Sequence, residues 1–163
     1  MASIGTIVSG HVATLLRSPS GFRTQLGNVA ELAGVEMAPV GPECVLEQGA
    51  PSADAAVIEK YPAVYVFCEK LTNNLTEKGR RFSGKARISI ECRVSQDRTD
   101  GLDAKTRVFT DAIAEVLYNA RGRWPSGMFY SGAYEIQFGP IRRGGKNVVQ
   151  SAKVLLDVDV SSN

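Results

Sequence analysis

The sequence contains a single histidine, His11, and this scarcity limits the catalytic chemistry that the chain can offer. Serine and cysteine nucleophiles need a general base, which is most often a histidine. His11 falls on the polar side of the apolar stripe of a predicted first helix, so we interpret it as an exposed or capping side chain. No nucleophile–base pair is recognisable, and we expect that the protein is not an enzyme.

Cysteine is also sparse, with Cys44, Cys68 and Cys92 spread along the chain. Three widely separated cysteines do not make a disulfide framework, and this pattern favours a reducing compartment. A structural zinc site usually takes its ligands in two close pairs, and no two of these cysteines are neighbours. We therefore expect no metal ion and no cofactor.

Long apolar runs and nucleotide-binding glycine motifs are missing as well. Residues 1–16 are uncharged, but they are too polar and too often interrupted by glycine to span a bilayer, and we identify no signal peptide. Neither Gly-x-x-x-x-Gly-Lys-Ser/Thr nor Gly-x-Gly-x-x-Gly occurs. Gly144 and Gly145 are interpreted as a tight turn between two strands.

Charge is nearly balanced overall, at +2, but it is unevenly distributed along the chain. The net charge is −4 over residues 1–77, +5 over 78–123 and +1 over 124–163. This pattern fits a protein that meets copies of itself head to side, or a surface that faces an anion, although solvated loops would give the same pattern. The candidate subunit-interface or lumen residues are Glu43, Glu47, Glu59, Lys78, Arg80, Arg81, Lys85, Arg142 and Arg143.

Hydrophobic periodicity predicts one domain over 1–163, with an N-terminal helical segment at 1–33, an irregular arm at 34–60 and an α+β core at 61–163. Apolar residues alternate with polar ones over 85–94, 134–138 and 154–160, which indicates strands with one buried face. The spacing over 102–120 predicts a long helix. We therefore expect a mostly antiparallel four-stranded sheet, covered on one face by that helix. Residues 121–132 are predicted to be a loop.

Four stretches within residues 60–160 resemble the tail-terminator and head–tail joining (neck) proteins of tailed bacteriophages. They are YPAVYV at 61–66, GKARISIEC at 84–92, the helix over 103–117 and the alternating end at 154–160. The resemblance lies in the order and spacing of these elements.

This resemblance implies a non-catalytic virion protein, assembled in the host cytoplasm, that forms a ring, commonly a hexamer, at the neck. Such a ring terminates the tail tube and joins it to the head connector or adaptor proteins, and DNA passes through its lumen without sequence-specific contacts. Two alternatives remain open. One is a small nucleic-acid-binding module that uses the basic loops, and the other is a small enzyme with an unrecognised site.

Overall fold

The computed structural model describes residues 3–52 and 60–163, in which three helices and seven strands form an α+β fold, as predicted. The helices are α1 (Ile4–Arg17), α2 (Phe22–Ala33) and α3 (Leu102–Asn119). The strands are β1 (Val45–Leu46), β2 (Ala63–Asn73), β3 (Phe82–Gln96), β4 (Gly122–Trp124), β5 (Met128–Tyr130), β6 (Tyr134–Gly144) and β7 (Asn147–Ser162).

Local side-chain and backbone contacts delimit the two N-terminal helices. The hydroxyl of Ser3 accepts a hydrogen bond from the backbone N–H of Thr6 at 3.2 Å, so that it caps α1. Gly34 ends α2 with a φ of 67°, a left-handed conformation that favours glycine. In the described ranges, no helix combines the length and the apolarity needed to cross a bilayer.

The sheet is organised around one long antiparallel pair, β3 with β7. This pairing extends without a register shift from Phe82 opposite Ser162 to Gln96 opposite Val148. The strand order is β1-β2-β3-β7-β5-β4, and β6 also pairs with β7, alongside the part of β7 that β5 leaves free. Among the described strands, β1 and β2 form the only parallel pair, so the sheet is mixed, open and mostly antiparallel.

The predicted four-stranded sheet is wrong in its number of strands. The four long strands β2, β3, β6 and β7 correspond to the predicted ones, but three short strands extend the sheet. Two of them, β4 and β5, form a hairpin inside residues 121–132, which were predicted to be a loop. Strands of two or three residues contain less than two full alternations, so periodicity does not reveal them.

All three helices lie on one face of the sheet, whereas the sequence predicted that the long helix alone would cover it. Helix α3 packs on β3 and β7, α1 packs on β2 and β3, and α2 packs mainly on α3. A helix is about 10 Å wide and strands are about 4.8 Å apart, so one helix spans only two or three strands. The buried stripe of α1 therefore completes the core.

The opposite face of β3 was predicted to be wet and charged, and this is wrong over Ser89, Glu91 and Arg93, which are buried. The Arg93 guanidinium binds the Glu91 carboxylate at 2.6 Å and donates to the carbonyl oxygen of Pro51. Lys153 approaches the same carboxylate at 3.7 Å. The described end of the arm thus reaches across the sheet and shields an ion pair.

We predict that Ile113→Ala lowers the free energy of unfolding by about 2–5 kcal/mol, because Ile113 of α3 is fully buried and its removal leaves a cavity. Glu115→Ala on the exposed side of the same helix is the matched control, with an expected change below about 0.5 kcal/mol. Urea denaturation measures both. Equal effects of the two substitutions would contradict the packing of α3 described above.

Candidate functional site

The acidic residues of the arm lie beside helix α1. Glu43 is exposed in a single 3-10 turn, Pro42–Cys44, and Glu47 is exposed directly after β1. Glu47 is held close to the helix, since the hydroxyl of Ser9 donates to its carboxylate at 3.5 Å. Arg17 anchors the arm by donating two hydrogen bonds to one backbone carbonyl in β1. The third predicted acidic residue, Glu59, lies outside the described residues.

The predicted basic loop connects β2 to β3, and one of its basic side chains is already engaged in an ion pair. Arg80 forms an ion pair with Glu77 at 3.3 Å and donates to the side chain of Asn163. Lys78 and Arg81 are exposed and form no ion pair with any described residue. These two side chains are therefore available to an external partner.

Lys85 lies within β3, near the basic loop and on the outer face of the sheet. Its side chain is exposed, and its cross-strand neighbour on β7 is Asp159. Two residues further, Arg87 binds Asp157 through two hydrogen bonds of 3.0 and 3.3 Å. These hydrogen bonds raise the pKa of Arg87. Arg87 and Asp157 thus pair within the sheet, in a shallow cleft of about 230 Å³ that Lys85 and Asp159 also line.

Arg142 and Arg143 are exposed at the end of β6, next to the turn that Gly145 makes with a φ of 77°. They lie opposite the β7 residues that pair with the end of β3. The basic loop flanks the other end of β3, roughly 45 Å away along the strand. The structure therefore does not bring the predicted basic residues together, and divides them between two ends of the sheet.

Two aromatic side chains of β6, Tyr134 and Phe138, are 45% and 51% exposed, although the alternation over 134–138 predicted a buried face. Strand β6 lies at the edge of the sheet, beyond the area that the helices cover. Alternation of apolar and polar residues does not show whether a helix packs on the strand. The sequence therefore gives no signal that Tyr134 and Phe138 are exposed.

His11 is neither exposed nor a helix cap, as the sequence suggested, but half-buried against Trp124. The two ring centroids are 4.6 Å apart, and Trp124 in turn contacts the buried ring of Tyr130 at 5.4 Å. Burial lowers the pKa of His11 and raises that of Tyr130 to about 12. The neutral imidazole is therefore part of the packing between α1 and the β4–β5 hairpin.

The three cysteines have the character of packed thiols. Desolvation raises the pKa of Cys92 to about 12 and that of Cys44 to about 11, and it also raises the pKa of Cys68. A thiol is a poor nucleophile when its thiolate is disfavoured. Among residues 3–52 and 60–163, no three His, Cys, Asp or Glu side chains are placed to hold a metal ion.

No protein-family model matches this sequence, and the comparison with curated proteins gives no match.

We predict that His11 makes folding less favourable in acid. Because burial lowers its pKa, the folded protein binds this proton more weakly than the unfolded chain does. Stability is therefore retained above the unfolded-state pKa of about 6.5 and decreases as the pH falls through the folded-state value.

Thermal unfolding of the parent and of His11→Gln at several pH values measures this effect. Trp124 is the only tryptophan, so its fluorescence reports the charge of the ring beside it. We expect both the acid loss of stability and the emission change between pH 8 and pH 5 to be smaller in the variant. Identical pH profiles for the two proteins would exclude His11 as the titrating group.

Proposed function

We propose that this protein is a non-catalytic virion structural protein that forms a ring at the head–tail junction of a tailed bacteriophage. The observation that carries the proposal is the placement of exposed charges of opposite sign on separate parts of one molecule. Glu43 and Glu47 lie beside α1, and Arg142 and Arg143 lie at the far end of the edge strand β6.

Two different complementary surfaces on one chain support a heterologous contact, in which each copy uses one surface toward each neighbour. Such contacts repeat, and they close into a ring when the rotation per step permits. A contact between surfaces of the same kind would instead end at a dimer. The separation of the charged surfaces thus favours an assembly with more than two copies.

The order of elements adds support from the resemblance to tail-terminator and head–tail joining proteins. Helices α1 and α2 precede the β2–β3 hairpin, α3 crosses the sheet, and the β6–β7 hairpin closes the chain. In this proposal, one face of the ring meets the tail-tube protein and the other meets the head connector or adaptor. The protein would then be part of the virion neck after assembly in the host cytoplasm.

We expect the purified protein to have a mass well above that of one chain, and about 105 kDa if six chains of 17.5 kDa assemble. Size-exclusion chromatography with light scattering gives the mass, and negative-stain imaging shows whether the particles are rings. Because exposed charges contribute, the assembly should weaken as salt is added. A monomer at every concentration and salt condition, and also in assembled particles, would overturn the proposal.

The basic loop between β2 and β3 is proposed to face the lumen, where its free side chains Lys78 and Arg81 contact DNA phosphates without reading sequence. Lys78→Glu with Arg81→Glu should weaken binding to duplexes of any sequence. The plot of log K against log salt should become less steep by about 2, for two lost phosphate contacts. Fluorescence anisotropy measures both quantities.

The control for this prediction is Arg23→Glu with Arg107→Glu, which changes the net charge equally on the exposed sides of α2 and α3. Its DNA binding should lose less affinity, since neither residue belongs to the basic loop. An equal loss in both double variants would show that net charge, and not the loop, attracts DNA. Tight binding of one DNA sequence by a monomer would favour the nucleic-acid-binding alternative instead.

A further inference from the structure

The sheet has an open edge on strand β2. The short strand β1 pairs only with Val64 and Tyr65, and in the described part of the chain no strand continues beside residues 66–73. The backbone N–H and C=O groups on such an edge are a template for another strand. Another strand could therefore pair with residues 66–73 of β2, next to the position that β1 occupies beside Val64 and Tyr65.

A groove of about 520 Å³ runs along this open edge, between β2 and helix α1. The helix lines it with small side chains, Gly5, Thr6 and Ser9. At Gly5 the helix approaches β2 so closely that an added Cβ would lie 3.2 Å from the Cβ of Cys68. The small residues thus allow α1 to lie close to β2 along the groove.

The second open edge belongs to β6, on the opposite side of the sheet. Regular pairing of β6 with β7 is interrupted between Phe138 and Ile141, a stretch that contains Pro140. Proline cannot donate a backbone hydrogen bond, so the part of this strand that can pair regularly is 134–138. This part is about 17 Å long. Residues 66–71 on β2 span roughly 20 Å, and the pairing of β2 with β3 shifts register within them, between Cys68 and Lys70.

The groove beside β2 is acidic and the far end of β6 is basic, whereas Glu135 is the only charged residue of the segment 134–138 itself. The groove beside β2 is lined by Glu47, Glu69 and Lys70, a net charge of −1. Strand β6 and its turn contain one acidic and three basic residues, a net charge of +2. These four are Glu135, Arg142, Arg143 and Lys146.

We infer that β6 of one copy adds to the open edge of β2 in the next copy, so that the β-sheet continues from subunit to subunit. This inference rests on the proposed ring function and specifies its interface. Main-chain hydrogen bonds supply affinity in this mode of recognition, while side chains set the partner. The exposed Tyr134 and Phe138 rings are covered in the same contact.

Hydrogen exchange with mass spectrometry tests the inference on the full chain, at concentrations where light scattering shows either single chains or the assembly. Amides in 66–71 and 134–138 should exchange about tenfold or more slowly in the assembly, because new hydrogen bonds protect them. Strand β4 is a matched control, since it is also an edge strand and, within residues 3–52 and 60–163, pairs only with β5. Its exchange should not change.

A charge exchange across the interface provides a second, independent measurement. Arg142→Glu with Arg143→Glu should raise the dissociation constant of the assembly about tenfold, and adding Glu47→Lys with Glu69→Lys should recover most of that loss. The double variant Arg107→Glu with Arg123→Glu, at exposed positions of α3 and β4, should assemble like the parent. Circular dichroism verifies that each variant is folded. We expect all of them to fold, because the substituted side chains are exposed.

Each outcome separates this inference from the proposed function. Rings whose two edges exchange as fast as in single chains would overturn the edge pairing and leave the ring proposal standing. A dimer with protection of β6 but not of β2 would also overturn it, in favour of a symmetric β6–β6 contact. Absence of any assembly would overturn both.

Discussion

The pairing of β3 with β7 is the interaction on which the other elements depend. It extends over the whole of β3, and β2 attaches to β3 while β5 and β6 attach to β7. Helix α3 packs on both central strands, so its buried side depends on their pairing. Residues 97–146, 50 in number, separate the two strands in sequence, and closing such a loop costs conformational entropy that hydrophobic burial must offset.

This same pairing determines where the charges lie. Because β3 and β7 are antiparallel and long, the turn before β3 and the turn before β7 are at opposite ends of the sheet. Lys78 and Arg81 therefore lie far from Arg142 and Arg143. A molecule with two separate basic ends can serve two partners, and the proposed ring uses one end toward DNA and the other toward a neighbouring subunit.

The two faces of the sheet are buried by different means. On one face, apolar side chains of the helices cover the sheet. On the other face, the carboxylate of Glu91 and the guanidinium of Arg93 form an ion pair next to the arm. A buried ion pair contributes little net stability, but a one-residue shift of register would place these charges in the apolar core at a large cost. The pair therefore supports the alignment of β3 with its neighbours.

Elements with a local periodicity were predictable from the sequence. The helical segment at 1–33, the helix over 102–120 and the strand over 85–94 follow from spacings of three to four and of two, because each pattern covers several repeats. The burial of Glu91, the contact of His11 with Trp124 and the exposure of Phe138 instead result from long-range packing. These features depend on which distant segment covers a residue, and no spacing within a single element contains that information.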